Sequence, residues 1–188
     1  MPVGVKHSDD SSLYFVTFTC YEWLPLFEVT NSYDLVYKWF NYLKQEKQVS
    51  VTGFVIMPNH LHCMLFFPQK GFDLNKIIAN AKRFIAYEII DRLKKEEHFD
   101  ILNKLSTSVN THQKKKGQLH KVFENSFDAK AIETEKFLLQ KLNYIHLNPV
   151  KGNYRLVEDW KEYEHSSASF YELNKVWHFA PVHHMELQ

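Results

Sequence analysis

The sequence predicts an α+β domain built on an antiparallel sheet, and three patterns carry that prediction. Residues alternate with period two from Leu13 to Cys20, two apolar runs flank Pro58-Asn59, and three longer stretches repeat with helical spacing. In the first stretch Tyr14, Val16, Phe18 and Cys20 share one face, while Phe15, Thr17 and Thr19 share a second, more polar one, which is the mark of a strand. Ser32 stands where a helix cap belongs, and Val36, Trp39, Phe40 and Leu43 follow at i, i+3, i+4, i+7. Val51 to Met57 and His60 to Phe67 are apolar runs, the first rich in β-branched residues. Proline presets φ for the first central position of a turn and asparagine tolerates the second, so Pro58-Asn59 joins the runs as an antiparallel hairpin.

Asp73 opens a second helix, whose stripe of Leu74, Ile77, Ile78, Ala81, Ile85 and Ile89 extends to about Lys95. Residues 98–117 are polar and weakly patterned and read as a connection with room for one short helix. Val122 to Phe127 is the candidate for a fourth strand. A third long helix is expected from Thr134 to Leu147 and ends before Pro149, because a residue preceding proline is biased out of the helical region. The order βαββαβ matches a ferredoxin-like sheet with helices on one face and an additional C-terminal helix and tail. The other face is left for a ligand, a partner or that last helix. No linker divides residues 1–188, which form a single domain with a loose arm over 1–12 and a tail over 152–188. Trp160, Tyr163, Phe170 and Trp177 equip that tail to pack back on the domain.

Composition narrows the function classes without choosing one. The chain has 188 residues, 45% hydrophobic and 24% charged, which is ordinary for a globular domain with a real core. Its net charge of +1 makes no global claim on nucleic acid, so any such partner must be met by local patches. Cys20 and Cys63 lack CxxC spacing, which argues against a disulfide scaffold or a cysteine zinc site. No signal peptide is evident, and no apolar run approaches the roughly 20 residues needed to span a bilayer, so a cytoplasmic protein with no membrane partner is expected.

Two constellations could carry chemistry. In His60-Leu61-His62 the imidazoles are two residues apart on a strand, on one face and roughly 7 Å apart at their bases, and could converge on one metal ion. The same spacing also suits two surface histidines or a hydrogen-bonded pair in the core. Cys63 and Met64 follow, which counts against a binuclear His-x-His-x-Asp-His metallohydrolase. Tyr144 and Asn148 are four apart on the last helix and share a face, with Tyr144 about 120° around from Leu138 in the buried stripe. A boundary tyrosine with a packed ring and a wet hydroxyl satisfies that position equally well. The two pairs make chemical sense together. A tyrosine hydroxyl, with its pKa near 10, is a poor nucleophile at neutral pH unless a cation activates the phosphate it attacks. Two histidines and one amide oxygen leave positions open and suit Mg²⁺ or Mn²⁺ better than a structural zinc ion. The basic residues Lys82, Arg83, Lys114, Lys115, Lys116, Lys121 and Lys151 are the candidates for phosphate contact, although a solvated surface explains each one singly.

These residues resemble the single-tyrosine HUH transposases, and especially the REP-associated tyrosine transposases. The resemblance rests on Met57-Pro58-Asn59-His60-Leu61-His62, on Lys82-Arg83-Phe84, on Tyr144 to Lys151 (YIHLNPVK), and on Ser166-Ser167-Ala168 downstream. It covers the chain from the first strand to about Tyr171. It implies His60 and His62 as metal ligands, Asn148 in the place of a third ligand, and Tyr144 as the nucleophile. It also implies single-stranded or hairpin DNA as substrate, a 5′-phosphotyrosine intermediate, and either a monomer or a homodimer. A tryptophan-containing segment usual in relatives is replaced here by Phe123, Glu124 and Asn125. Two rival readings share the same residues: a hairpin-DNA binding module with an idle site, and a phosphodiesterase that uses water as nucleophile.

Overall fold

The structure, a computed structural model, describes residues 12–152 and 155–187, so the arm expected over 1–12 lies almost entirely outside the described residues. Strands β1 (Leu13–Thr19), β2 (Ser50–Met57), β3 (His60–Phe66) and β4 (Asp128–Ala131) form one sheet in the order β2-β3-β1-β4. Every neighbouring pair is antiparallel. The short α1 (Leu26–Val29) and the longer α2 (Tyr33–Glu46) connect β1 to β2. Between β3 and β4 run α3 (Leu74–Lys95), α4 (Phe99–Thr107) and α5 (Thr111–Lys115). Helix α6 (Glu135–Leu147) follows β4, and α7 (Ala168–Leu173) lies in the tail. The α+β ferredoxin-like order is therefore the observed one.

Local chemistry accounts for most boundaries. The Asp73 carboxylate caps α3 by accepting from Lys76 N, and the Thr134 hydroxyl caps α6 by accepting from Phe137 N. Ser32 occupies the cap position of α2 but makes no capping bond; its buried hydroxyl instead accepts from Thr30. Two expectations are corrected. The connection over 98–117 holds two helices, α4 anchored by buried Leu105 and α5 opened by an Asn110–Gln113 capping box. The fourth strand is Asp128–Ala131 rather than 122–127. Val122 and Phe123 are apolar because they fill the core, and Phe123 makes only an isolated bridge to Cys20. The sequence Asp-Ala-Lys-Ala has little strand propensity of its own, and pairing with β1 from Tyr14↔Ala131 to Thr17↔Asp128 overrides it.

The sheet is covered on both faces. Tyr14, Val16, Phe18, Leu61, Cys63 and Leu65 point to the side packed by α2 and α3. On the opposite side Phe15, Val55, Met57 and Met64 meet Leu138, Leu142 and Ile145 of α6, so the last helix takes the second face. Each such buried side chain contributes about 1.5–3 kcal/mol. Close approach of α6 depends on Gly53, at a register irregularity in β2, where an added Cβ would lie 2.9 Å from Leu142 Cδ1 and 3.0 Å from Met64 Cε.

The tail is tied to β2. Ile56 N donates to His165 O, Ser167 N to Phe54 O, Tyr163 Oη to Ile56 O and Tyr171 Oη to Thr52 O. Buried His146 on α6 lies 3.0 Å from Ser167 Oγ through Nε2, so helix, tail and strand are joined at one point. Among the described residues no helix is long and apolar enough to cross a membrane.

Two predictions follow from this packing. Gly53→Val should cost about 1–3 kcal/mol in denaturant unfolding, because α6 must retreat from β2. Burial lowers the pKa of His146 to about 4 and, against the opposing charge of Glu164, that of His165 to about 4. Between pH 6.5 and 4 the unfolded chain therefore binds protons that the folded chain refuses. These groups leave stability unchanged above pH 6.5 and erode it as the pH falls toward 4, by about 1–3 kcal/mol for His146. Thermal melts across that range should be less acid-sensitive in His146→Gln.

Candidate active site

The polar row on the α6 side of the sheet begins with strand register. Thr17 lies opposite His62 and Thr19 opposite His60, so the two imidazoles and the two hydroxyls share one face. The His62 Nδ1 lies 2.6 Å from Thr17 Oγ1, and the His60 Nδ1 lies 2.6 Å from Asn59 Oδ1 in the hairpin turn. Asn59 is oriented in turn by its amide, which donates to Trp23 O. An Nδ1–H donated to the Asn59 and Thr17 oxygens leaves each Nε2 as the free lone pair.

The hairpin turn and helix α6 bring the remaining groups to those nitrogens. The ring centroids of His60 and His62 are 4.7 Å apart. Tyr144 Oη stands 3.4 Å from His62 Nε2, within one chain. The Asn148 side chain hydrogen-bonds His60. Helical spacing places Tyr144 and Asn148 on one face, and Asn148 keeps helical backbone angles beyond the end of α6. The Tyr144 ring packs edge-on against Phe15, which also stacks on His62, and the residue remains 39% exposed, so the hydroxyl is reachable from solvent.

Burial sets the electrostatics. It lowers the pKa of His60 to about 4 despite the opposing bond from Asn148. It lowers that of His62 to about 3, with positive charge at His60 and Lys141 adding to the effect. Both imidazoles are thus neutral at physiological pH and present lone pairs, as a metal ligand must. Among the described residues no three His, Cys, Asp or Glu side chains are grouped to hold a metal. A third protein ligand would therefore be the Asn148 amide. The two oriented imidazoles and this amide fit an open divalent site with positions left for substrate oxygens.

The predicted basic residues divide. Lys151 lies 5.9 Å from the Tyr144 ring. Lys82 is turned inward: Nζ donates to Glu124 O at 2.6 Å and Ser126 O at 3.1 Å, and burial lowers its pKa to about 8. Its place is as a brace for the 124–127 segment. Lys121 pairs with Glu124 and covers the Tyr21 ring. Arg83 is exposed over Phe84 and, with Lys82 and Lys116, borders a cavity of about 780 Å³ between α3 and the 116–127 segment. Lys114, Lys115 and Lys116 are exposed at α5, a different part of the fold from the imidazoles.

Four residues beside the site were not singled out from the sequence. Lys141 stands 4.5 Å from the Phe15 ring centroid and 5.4 Å from that of Tyr144. Its signal was available, because Lys141, Tyr144 and Asn148 recur at i, i+3, i+7 on one helix. Lys130 lies opposite Phe15 across β1 and β4, on the same face. Thr17 looked like one polar residue of an alternating strand. Trp23 is 62% exposed, contacts the His60 ring at 5.5 Å, and has φ +58°, directly after Glu22 at φ +49°. Left-handed backbone at bulky residues costs on the order of 1–3 kcal/mol and persists only where surrounding bonds over-determine it.

No family profile matches the chain, and no curated protein is a significant match. The fold does have solved counterparts. One is a REP-associated tyrosine transposase bound to a REP hairpin, at TM-score 0.65 and 16% identity, covering 97% of this chain and 93% of that one. Another is a protein of Deinococcus radiodurans R1 classed as a transposase, at TM-score 0.42 and 16% identity, covering 77% of this chain and 95% of that one. The first of these shows that the chain has the fold of a tyrosine transposase over nearly its whole length.

The burial of the imidazoles has a direct spectroscopic consequence. In an NMR titration the ring resonances of His60 and His62 should keep their neutral-form shifts down to about pH 5. Titration of either near pH 6.5 would show that the pair is open to water.

Proposed function

We propose that this chain cuts and rejoins single-stranded or hairpin DNA as a single-tyrosine HUH transposase of the REP-associated type. The observation that carries the reading is the 3.4 Å approach of Tyr144 Oη to His62 Nε2, with the two imidazoles 4.7 Å apart at their centroids and each held through Nδ1. The shared fold of a transposase bound to a REP hairpin supports the choice of DNA. The site is assembled from a single chain, which favours a monomer as the working unit.

The chain's own groups suggest the division of labour. His60, His62 and Asn148 would hold Mg²⁺ or Mn²⁺, which when bound polarises the scissile phosphate. Tyr144 Oη forms the new bond to phosphorus as the bond from phosphorus to the 3′ oxygen breaks. The phenol loses its proton and the departing 3′ oxygen gains one, leaving a 3′-hydroxyl and a 5′-phosphotyrosine. Phosphodiester character is conserved in that linkage, so a 3′-hydroxyl can reverse the step and join a strand. Lys141, with Lys151 and Lys130 near it, gathers positive charge about the Tyr144 ring, where it would meet phosphate oxygens. Phe15 walls the ring on one side and limits its motion.

A covalent-adduct assay tests the reading. The protein incubated with hairpin oligonucleotides and Mn²⁺ should yield an adduct that survives a denaturing gel, and Tyr144→Phe should abolish it. Cleavage that persists in Tyr144→Phe but is lost in His60→Ala would make water the nucleophile, and no adduct on any hairpin would make the chain a binding module. Calorimetric titration with Mn²⁺ should show affinity reduced about 10–100-fold in Thr17→Val and Asn59→Ala, which leave every ligand in place but free the rings to turn. Lys141→Ala should slow adduct formation about 10–100-fold while leaving Mn²⁺ affinity unchanged.

A further inference from the structure

Beside the imidazoles, on the β4 side, lies a second cavity of about 420 Å³. The residues that line it include Thr17 and Thr19 of β1, Trp23, Ser126, Phe127 and Asp128. We propose that this cavity takes one unpaired nucleobase of the bound DNA strand, stacked on Trp23 and read at its edge by Asp128. The inference rests on the reading that the neighbouring site acts on DNA, and it adds a base-recognition function to that site.

Three features point to a base rather than a phosphate. First, no lysine, arginine or histidine is among the described residues that line the cavity, which holds Asp128 and a Glu124 paired with Lys121. A phosphate would find no lining cation there, whereas lysines stand around Tyr144. Second, Trp23 is held with its ring in solvent against a backbone penalty. Asn59 donates to Trp23 O, and Glu22 N donates to a Glu124 carboxylate oxygen. An exposed ring fixed in a left-handed conformation offers a stacking platform that loses little further freedom on binding. Third, the cavity adjoins the candidate centre: Thr17 touches both, and Trp23 contacts His60. Register places Asp128 opposite Thr17 on the face that carries His62, two strand spacings or roughly 10 Å away.

The edge chemistry narrows the base. Of the two carboxylates, Glu124 is engaged by Glu22 N and Lys121, whereas Asp128 is exposed at the mouth of β4. A carboxylate accepts from an exocyclic amine, so adenine, cytosine or guanine is preferred over thymine, which has none, and the threonine and serine hydroxyls serve any of them. Lys82 supports the same wall from behind by binding Glu124 O and Ser126 O. Its inward position therefore gives it a positioning role in the proposed recognition.

The test is an abasic scan of a hairpin oligonucleotide with single-stranded flanks, read by fluorescence anisotropy in EDTA, where the candidate chemistry is silent. For the wild-type chain one flank position should lose about 5- to 100-fold in affinity when its base is removed. In Trp23→Gly, which removes the ring and relieves the left-handed strain, that penalty should vanish while the melting temperature rises or holds. Trp23→Phe should restore part of it. Asp128→Asn should erase the discrimination against thymine at that position without removing the abasic penalty. An abasic penalty equal in wild type and Trp23→Gly at every position overturns the proposal even if the Mn²⁺-dependent adduct forms. Base recognition that follows Trp23 in a chain that forms no adduct keeps the proposal and removes the catalytic reading. Absence of any DNA binding overturns both.

Discussion

The register between β1 and β3 is the constraint on which the rest of the molecule depends. Pairing Thr17 with His62 and Thr19 with His60 puts four polar side chains on the α6 face and leaves Phe18, Leu61 and Cys63 to the helix-packed core. Because side chains alternate with period two, a slip of one residue would drive both imidazoles into that core and expose Leu61 and Cys63. The short hairpin turn at Pro58-Asn59 forbids the slip from one side, and the apolar alternation of β1 forbids it from the other. The turn also does chemical work: Asn59 accepts from the His60 ring and holds Trp23 through its amide. One residue thereby links the backbone geometry of the turn to the orientation of the candidate centre.

Separate cores on the two faces explain how the fold tolerates a polar site. The larger cluster, between the sheet and α2 with α3, is built from Phe18, Phe40, Phe54, Leu61 and their neighbours and is fully apolar at its centre. It can carry most of the stability without help from the second face. The smaller cluster under α6 has only to hold the helix at a fixed height and angle. Gly53 sets that height, and the His146–Ser167 contact joins helix to tail at the point where Ser167 bonds the backbone of Phe54. Tyr144 and Asn148 project from the same helix past the end of this packing and over the imidazoles. Two buried neutral histidines cost desolvation at low pH, but at neutral pH they are satisfied by Thr17, Asn59 and Asn148, so the site adds little burden.

Much of this was legible because it is local. Period-two and period-3.6 patterns are set by which face is buried, and they located β1, β2, β3, α2, α3 and α6 within a residue or two. The pairing of His60 with His62 and of Tyr144 with Asn148 followed from strand and helix periodicity alone. The convergence of the two pairs did not, because it depends on α6 crossing the sheet at Gly53, a tertiary fact. Strand β4 was displaced in the reading for the same reason: Val122 and Phe123 carry the apolar signal of the core, whereas Asp128 to Ala131 is a strand only because β1 has a free edge to pair. Lysines are the hardest case, since a charged side chain on a helix reads the same whether it faces water or bends inward. Lys82 borders the apolar stripe of α3 and Arg83 points away from it, but only the fold shows the Lys82 Nζ donating to two main-chain carbonyls.

The distribution of charge around the second face carries the argument one step further. Lys141 and Lys151 stand by the Tyr144 ring and Lys130 lies opposite Phe15, while Asp128, two residues before Lys130 on β4, and Glu124, paired with Lys121, line the second cavity. A uniformly basic cleft would attract a polyanion without orienting it. Under the proposed reading, lysines beside Tyr144 and a carboxylate with an exposed tryptophan at the neighbouring cavity would give a nucleic-acid strand one favourable placement, with its phosphates toward Tyr144 and a base edge toward Asp128. The small net charge of the chain is therefore no obstacle to a nucleic-acid partner. Local groups of opposite charge, rather than an overall excess, would then set which part of a strand meets Tyr144, the proposed nucleophile.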